Sequence, residues 1–266
     1  DNTAIGNSAL TTLTSGTNNT AIGHDSLKLT TTGASNTAVG SLSLDANTSG
    51  ASNTGVGVHA LGTNTTGGSN TAVGNGALKL NTTASNNTAV GLEALLSNTT
   101  GSGNNAIGAY SLDANTTGGN NVALGNSALS SNTSASDNVA IGVGAMDGNT
   151  TGARNTAVGR GALDLNTTAN NNTAIGYNCL DANTTGTENV SVGAFSMGAN
   201  TTGGQNTALG ESALGNNTTA SNNTAIGKNA LVQNTTGTRN VAVGALTLDA
   251  NTCLLYTSPS PRDNLP

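Results

Sequence analysis

A strict 17-residue repeat constrains this chain more than any other feature of its sequence. A glycine recurs at every seventeenth residue from Gly6 to Gly244, in fifteen copies without insertion or deletion. We number the positions of one copy from 1 to 17, beginning four residues before this glycine, so that Asn70–Asn86 (NTAVGNGALKLNTTASN) is one copy. A fixed period of this kind is typical of a solenoid, in which each repeat buries its apolar side chains against its neighbours.

Most positions of the repeat accept a narrow range of residue types. Positions 1, 5 and 13 are Asn, Gly and Thr in all fifteen copies, and position 4 is always Ile, Val or Leu. Position 9 is Leu except at Met146 and Met197, and position 3 is Ala except at Gly55 and Ser191. Every charged residue in the range 1–249 lies at position 6, 7, 10 or 17. This confinement indicates an ordered coil in which only certain positions face water.

The length and composition of the repeat favour strands and turns. Helical solenoid repeats need about 33 residues or more, and Gly, Asn and Thr disfavour helices. We therefore predict an all-β solenoid, a parallel β-helix or β-roll of fifteen coils, over residues 1–252. Asn70–Gly74 is predicted to be a strand and Ala77–Leu80 a second strand, with a turn at the NTTG stretch because Asn and Gly tolerate positive φ. Coils about 4.8 Å apart would make a rod on the order of 70 Å long.

The restricted positions predict a set of structural residues. Position 4 is large and apolar, so we expect it to face the interior and to stack with position 9 in aliphatic columns. The asparagine at position 1 is expected to form a ladder between coils that also closes the turn. In the example copy, these structural residues are Asn70, Val73, Gly74, Leu78 and Thr82, followed by Asn87 of the next copy.

Position 3 raises a question about partners. Adjacent strand residues face opposite sides, so an inward position 4 would place position 3 on the outside. That position is almost always Ala and never charged, which suggests close packing against another chain, such as a second member of a homotrimer. The alternative is a narrow coil with position 3 inside and no partner.

Composition excludes several classes of function. The net charge is −6 and only 8% of residues are charged, without a basic patch, so no nucleic-acid partner is expected. No apolar run approaches the roughly 18 residues that span a bilayer, so no membrane insertion is expected. Asp147, Asp164 and Asp181 occupy position 10 of consecutive copies and would suit Ca²⁺ if they clustered, with solvated surface carboxylates as the alternative. We predict no metal and no cofactor.

Catalytic residue types are scarce. Only His24 and His59 would serve as bases for a nucleophile, and they lie at variable positions of copies two apart, so we predict that the chain is not an enzyme. Cys179 is expected to be a small buried residue at position 8.

The repeat fails after Thr252, and Cys253–Asp263 (CLLYTSPSPRD) resembles a translated sequencing-library adaptor. Residues 253–266 are therefore expected to be a non-native, disordered tail.

The repeat unit NTAIGxxALxxNTTGxxN resembles repeats of phage tail-fibre and bacterial surface-fibre proteins, over residues 2–252. Its NTAIG core is also similar to the SVAIG repeats of trimeric autotransporter adhesin heads, whose period is shorter. The resemblance implies a homotrimeric shaft outside the cell, on a cell surface or on a virion, with a spacing and attachment role. A cell-surface glycan or receptor would be the partner. Tyr110, Tyr177 and Phe195, at positions 6 and 7, are the candidate ligand contacts.

Two alternatives remain at this point. Regular threonine columns resemble those of ice-binding solenoids, although the adjacent threonines at positions 13 and 14 would face opposite ways. The threonine column at position 2 is interrupted by Asn105, Val122, Val139, Val190 and Val241. The second alternative is a carbohydrate-active enzyme of the tailspike type, which needs paired carboxylates in a deep polar pocket.

Overall fold

The computed structural model describes residues 1–251, which form a β-solenoid. Consecutive strands pair in parallel and in register, so that Thr71 lies beside Thr88 and Val73 beside Val90. The predicted all-β solenoid is confirmed, whereas the predicted tail, 253–266, lies outside the described residues. The strands are β1 (Thr3–Ile5), β2 (Thr20–Ile22), β3 (Thr37–Val39), β4 (Thr54–Val56), β5 (Thr71–Val73), β6 (Thr88–Val90), β7 (Asn105–Ile107), β8 (Val122–Leu124), β9 (Val139–Ile141), β10 (Thr156–Val158), β11 (Thr173–Ile175), β12 (Val190–Val192), β13 (Thr207–Leu209), β14 (Thr224–Ile226) and β15 (Val241–Val243).

Each coil contains one strand instead of the two that we predicted. The strand covers positions 2 to 4, and Ala77–Leu80, predicted as a second strand, forms turns. The reason is local: the backbone is left-handed at positions 7 and 9, with φ of 67° at Gly76 and 52° at Leu78. Two left-handed residues separated by a single residue prevent an extended run. The chain bends at Thr82 and Thr83 within the NTTG stretch, where we predicted a turn, but without the positive φ that we expected there. The positive φ angles of residues 1–251 lie at positions 5, 7, 9 and 17.

The interior of the coil is narrow and is filled by few side chains. Ala72 at position 3, Ala77 at position 8 and Leu78 at position 9 are completely buried. Among residues 1–251, the largest fully buried side chains all lie at position 9. Burial of one leucine contributes roughly 1.5–3 kcal/mol. The stack of coils thus makes a continuous core that no single repeat has alone.

The prediction that position 4 faces the interior was wrong. Val73 is 36% exposed, while its neighbour Ala72 is buried. The leucine at position 9 and the asparagines at positions 1 and 12 already occupy the space inside the coil, so only a methyl group fits beneath the strand. The alternative that we described, a narrow coil with position 3 inside, is the arrangement observed. The aliphatic column of position 4 therefore lies on the outer surface.

Two ladders of buried amides run along the solenoid, and the second begins in the third coil, because the first two coils carry Leu13 and Thr30 at position 12. In the first, the backbone N–H of Asn87 donates to Asn70 Oδ1 at 3.0 Å, and Asn70 Nδ2 donates to the carbonyl of Ala84 at 2.8 Å. In the second, at position 12, Asn81 Nδ2 donates to the same Ala84 carbonyl at 3.0 Å and to Asn64 Oδ1 at 2.8 Å. From the third coil to the fourteenth, the two ladders share one acceptor in each coil, so that they tie positions 1, 12 and 15 together.

Backbone and hydroxyl groups complete the contacts between coils. The N–H of Leu78 donates forward to Ala94 at 3.0 Å, and Thr82 donates both its N–H and its hydroxyl to the carbonyl of Thr99, at 3.2 and 3.1 Å. These bonds repeat from coil to coil around the loop, so that the polar backbone of the turns is satisfied as well as that of the strands.

The glycine column at position 5 has a steric cause. Gly74 adopts a φ of +139°, which L side chains rarely adopt, and a Cβ placed there would lie 2.7 Å from the carbonyl carbon of Gly91 in the next coil. The chain leaves the strand at this point and passes directly over the equivalent glycine of its neighbour. A hydrogen atom is the only side chain that allows this approach.

Candidate functional site

The outer side of the sheet, which we call the strand face, consists of positions 2 and 4. Position 4 forms an unbroken aliphatic column over the fifteen strands, and position 2 adds mainly threonine and valine. None of the residues at positions 2, 3 and 4 is charged. Members of the column with more than a third of their surface exposed are Ile5, Ile22, Val73, Ile107, Leu124, Ile175, Leu209, Ile226 and Val243.

A second surface, the turn face, follows the glycine column and carries positions 6, 7 and 10. Most of the charged side chains lie on it, including the ion pair between Lys228 and Glu211, whose Nζ and Oε2 atoms are 2.9 Å apart. Side-chain size varies widely from coil to coil on this surface. Where small residues coincide, they leave grooves.

The first groove has a volume of about 300 Å³ and spans three consecutive coils. Its floor contains Gly144 and Gly161, both at position 7, where other coils carry residues as large as glutamate or tyrosine. The lining is drawn from positions 6, 7 and 10 of these coils. The lining residues are Val143, Gly144, Asp147, Arg160, Gly161, Asp164, Tyr177 and Asn178.

A second groove of about 340 Å³ continues along the turn face on the C-terminal side of the first. It opens because Gly198 and Gly215 leave position 10 without a side chain in two consecutive coils. Asp181 and Val232 lie at the same position at its two ends. Its lining is completed by Phe195, Ala199, Ser212 and Asn216.

An aromatic pair stands where the two grooves meet. Tyr177 lines the first groove and Phe195 the second, and their rings pack edge to face with centroids 5.3 Å apart and an interplanar angle of 81°. Both rings remain nearly half exposed, at 44% and 48%. The structure therefore brings together two of the three candidate ligand contacts. Tyr110, the third, is exposed four coils earlier and lines neither groove.

The carboxylates at position 10 form one wall of the grooves. Asp147, Asp164 and Asp181 follow one another on consecutive coils, and Asp147 accepts a hydrogen bond from the Ser130 hydroxyl. Partial burial raises the pKa of Asp164, and repulsion from Asp147 and Asp181 raises it further. Hydrogen bonds donated by a ligand would stabilise the charged form of this carboxyl and oppose the rise of its pKa.

The remaining candidates do not gather into a reactive centre. His24 and His59 lie on the turn face of coils two apart, and His24 Nδ1 is 3.7 Å from Asp25 Oδ2. Within residues 1–251, no group of three or more His, Cys, Asp or Glu side chains is arranged to hold a metal ion. Over the same residues, no helix has the length and hydropathy needed to cross a membrane.

Cys179 occupies the interior, as predicted for position 8. Its Sγ atom lies 3.1 Å from the Ser191 carbonyl oxygen and 3.0 Å from the Ser191 hydroxyl oxygen. Burial raises the pKa of the thiol to about 11. The thiolate, which is the reactive form, is therefore suppressed by both burial and protonation.

We expect Cys179 to resist thiol reagents in the folded protein. In a Cys253→Ser background, iodoacetamide at pH 8 should label it only when urea unfolds the chain. Because its pKa rises on folding from 9.0 to about 11, stability contributed by the protonated thiol is complete below pH 9 and is lost as the pH rises towards 11. The Cys179→Ala variant, which restores the most frequent residue of position 8, should lack this loss. Rapid labelling without urea would contradict the assignment.

Comparison with known proteins adds no assignment. No family model matches the chain, and neither a curated protein nor a solved structure matches it significantly.

Proposed function

We propose that residues 1–252 form the shaft of a homotrimeric fibre outside the cell, on a cell surface or on a virion, with a spacing and attachment role and without catalysis. The observation that carries this proposal is the strand face. It presents an aliphatic column to the surroundings along a sheet of fifteen strands. Resemblance of the repeat unit to tail-fibre and surface-fibre repeats supports the same conclusion.

The aliphatic column of the strand face, which we also call the stripe, is long enough to need a partner surface. With coils about 4.8 Å apart, the column extends over roughly 70 Å. Monomeric soluble proteins rarely expose contiguous apolar patches above a few hundred Å², and larger patches usually mark interaction surfaces. Charged side chains lie at positions 6, 7, 10 and 17, away from the stripe. The face thus has the composition of an interface core, in which charged residues are depleted.

Three copies of this chain would cover the stripe in a simple way. Identical rods with aligned coils are related by a rotation axis parallel to the rods, which gives a closed, cyclic assembly. Position 4 offers a ridge only one side chain wide in each coil. Three such ridges pointing at a common axis would make a central aliphatic core, while the turn faces remain outside.

Lysine substitutions on the strand face test this arrangement. The wild-type chain should scatter light as three times its 25.7 kDa mass. We expect the triple variant Val73→Lys, Ile107→Lys and Ile141→Lys to be monomeric, because three copies would place nine ammonium groups in an apolar core, where an unpaired charge costs several kcal/mol. Multi-angle light scattering after size exclusion measures the mass, and circular dichroism verifies that the coil is still folded.

The matched control places the same three charges on exposed leucines elsewhere. Leu80, Leu92 and Leu165 are each more than 40% exposed and lie at positions 6 and 11. Their replacement by lysine should leave the trimer intact. A monomeric wild-type chain, or equal dissociation by both triple variants, would refute assembly through the strand face.

The grooves favour binding over catalysis. In the first groove, Asp147 and Asp164 occupy the same position of adjacent coils, and the rest of the lining supplies no other carboxylate. Glycoside cleavage needs two carboxyl groups that flank the scissile bond. Two carboxylates on one side of a ligand accept hydrogen bonds from it but do not supply an acid and a base on opposite faces.

Ice binding is the second candidate, because the strand face carries threonines at position 2 beside the aliphatic column on a regular sheet. Two features weigh against it. The position 2 column is interrupted five times. The hydroxyls of position 13 donate to backbone carbonyls of the next coil, as Thr82 does to Thr99. Thermal hysteresis in a freezing solution would distinguish this function from the fibre shaft.

A further inference from the structure

We propose that the two grooves of the turn face, with the Tyr177–Phe195 pair between them, form one binding site for a neutral oligosaccharide. The inference deepens the attachment role proposed above and rests on it. It concerns a surface that shares no residue with the strand face. The lining positions are 6, 7, 10 and 11, whereas the strand face consists of positions 2 and 4.

Residue choices that are uncommon in this repeat coincide at the two grooves. Residues 1–251 contain only three aromatic side chains, and two of them stack here. Position 7 is glycine in two consecutive coils, at Gly144 and Gly161, and position 10 is glycine at Gly198 and Gly215. The repeat itself requires none of these choices, since other coils carry larger side chains at the same positions.

The two grooves together make a long, open site. The lining residues extend from the coil of Val143 to the coil of Val232, which is five coil spacings or about 24 Å. The two volumes, about 300 and 340 Å³, adjoin at the aromatic pair. An open groove of this length suits an extended chain of several units better than a compact small molecule.

The lining combines exposed aromatic rings with polar side chains. Exposed aromatic rings offer apolar surface on which the C–H face of a sugar ring packs. On either side, Asp147 and Asp164 accept hydrogen bonds from hydroxyl groups, while Arg160 and Asn178 donate them. A few directional polar groups beside an apolar platform are typical of a small-ligand site.

The lining of the two grooves carries a net negative charge. Asp147, Asp164 and Asp181 outnumber Arg160, the one cation among the lining residues. An acidic glycan such as a uronic-acid polymer would meet net repulsion from this wall. A neutral oligosaccharide avoids that repulsion and supplies the hydroxyl donors that the carboxylates lack.

Calorimetric titration of the full chain tests the inference. The probes are chitopentaose and maltopentaose, both neutral, and pentagalacturonate, which is acidic. We expect saturable binding of at least one neutral probe and none of pentagalacturonate. Tyr177→Ala should weaken binding at least tenfold, which corresponds to about 1.4 kcal/mol. Gly144→Asn, which puts into the groove a residue type found at position 7 in Asn178, should weaken binding similarly.

Tyr110→Ala is the matched control, because Tyr110 is equally exposed on the turn face but lies outside both grooves. It should bind as the wild type does. No binding of either neutral probe, preferred binding of pentagalacturonate, or equal losses for Tyr110→Ala and Tyr177→Ala would overturn the inference. Light scattering on the same samples keeps the two proposals apart: a trimer that does not bind contradicts this site alone, and a monomer that binds contradicts the fibre alone.

Discussion

The Gly125→Ala variant is expected to lose about 3–5 kcal/mol of stability, from a strained backbone and a steric clash together. Gly125 adopts a φ of +138°, and a Cβ there would lie 2.6 Å from the carbonyl carbon of Gly142. That carbonyl belongs to the backbone of the next coil, so it cannot move without displacing the N–H groups that bond to neighbouring coils.

The consequence should extend beyond a lower midpoint of thermal unfolding. Each coil contacts only its neighbours, so a defect in one coil weakens the link between the two halves of the rod. We therefore expect limited proteolysis of Gly125→Ala to cut near residue 125 and to release two fragments. Circular dichroism with temperature and mass spectrometry of the fragments measure both effects.

Gly144→Asn serves as the control for this experiment. Gly144 also has a positive φ, of 65°, but a Cβ there would meet no atom within 4 Å, and asparagine is the best tolerated side chain in the left-handed region. Its midpoint should lie close to that of the wild type. If Gly125→Ala were as stable as the wild type, the contact between glycines of successive coils would not limit the spacing of the coils.

The second large effect is expected from Asn172→Asp, which changes one buried amide of the first ladder into a carboxylate. Asn172 Nδ2 donates to the Gly186 carbonyl at 2.8 Å, and its Oδ1 accepts the N–H of Asn189 at 2.9 Å. An ionised aspartate keeps the acceptor but loses the donor, and it places an unpaired charge in the core. We expect a loss of about 3–5 kcal/mol at neutral pH.

This loss should depend on pH with a definite sign. Burial would raise the pKa of the new carboxyl above its value in the unfolded chain, about 3.9. Stability is then highest below that value, where the group is protonated and again has an O–H to donate, and it is lost as the pH rises through the pKa of the folded state. Urea unfolding at pH 3.5 and pH 7 measures the difference.

The neighbouring residue provides the matched control. Asn171 is exposed at position 17, and its Oδ1 accepts a hydrogen bond from Arg154 Nε at 2.9 Å. Asn171→Asp keeps this acceptor next to a cation in water, so its free energy of unfolding should change by less than about 0.5 kcal/mol. Similar losses for the two variants would mean that the buried amide ladder contributes nothing specific.

The sequence alone predicted the elements of the fold that depend on exact repetition. A period of 17 without insertions identified the solenoid, and the residues that never vary, such as Asn70 and Gly74, marked positions where an amide and a hydrogen atom are required. Position 12 was assigned only to a turn, although asparagine occupies it in thirteen of fifteen copies. That near constancy was the available signal for the second amide ladder.

The binding surface was less accessible to sequence reasoning. Tyr177 and Phe195 were candidates because they are aromatic and occupy variable positions. The repeat register separates Tyr110 from them by four coils or more, but it did not show that the rings of Tyr177 and Phe195 touch. The grooves were missed altogether. They form where glycines such as Gly161 and Gly198 lack a side chain. A glycine creates a groove only when larger side chains surround it, and the sequence does not show that arrangement.

The repeat by itself determined that the chain winds into stacked coils and which residues share a column. Only the tertiary structure decided which columns face inward. Positions 3 and 4 are both apolar, so hydrophobicity does not choose between Ala72 and Val73. The diameter of the coil determines which of the two positions faces inward. The left-handed turns and the two asparagine ladders leave space inside for a methyl group but not for an isopropyl group. The larger side chain is thereby left on the outside.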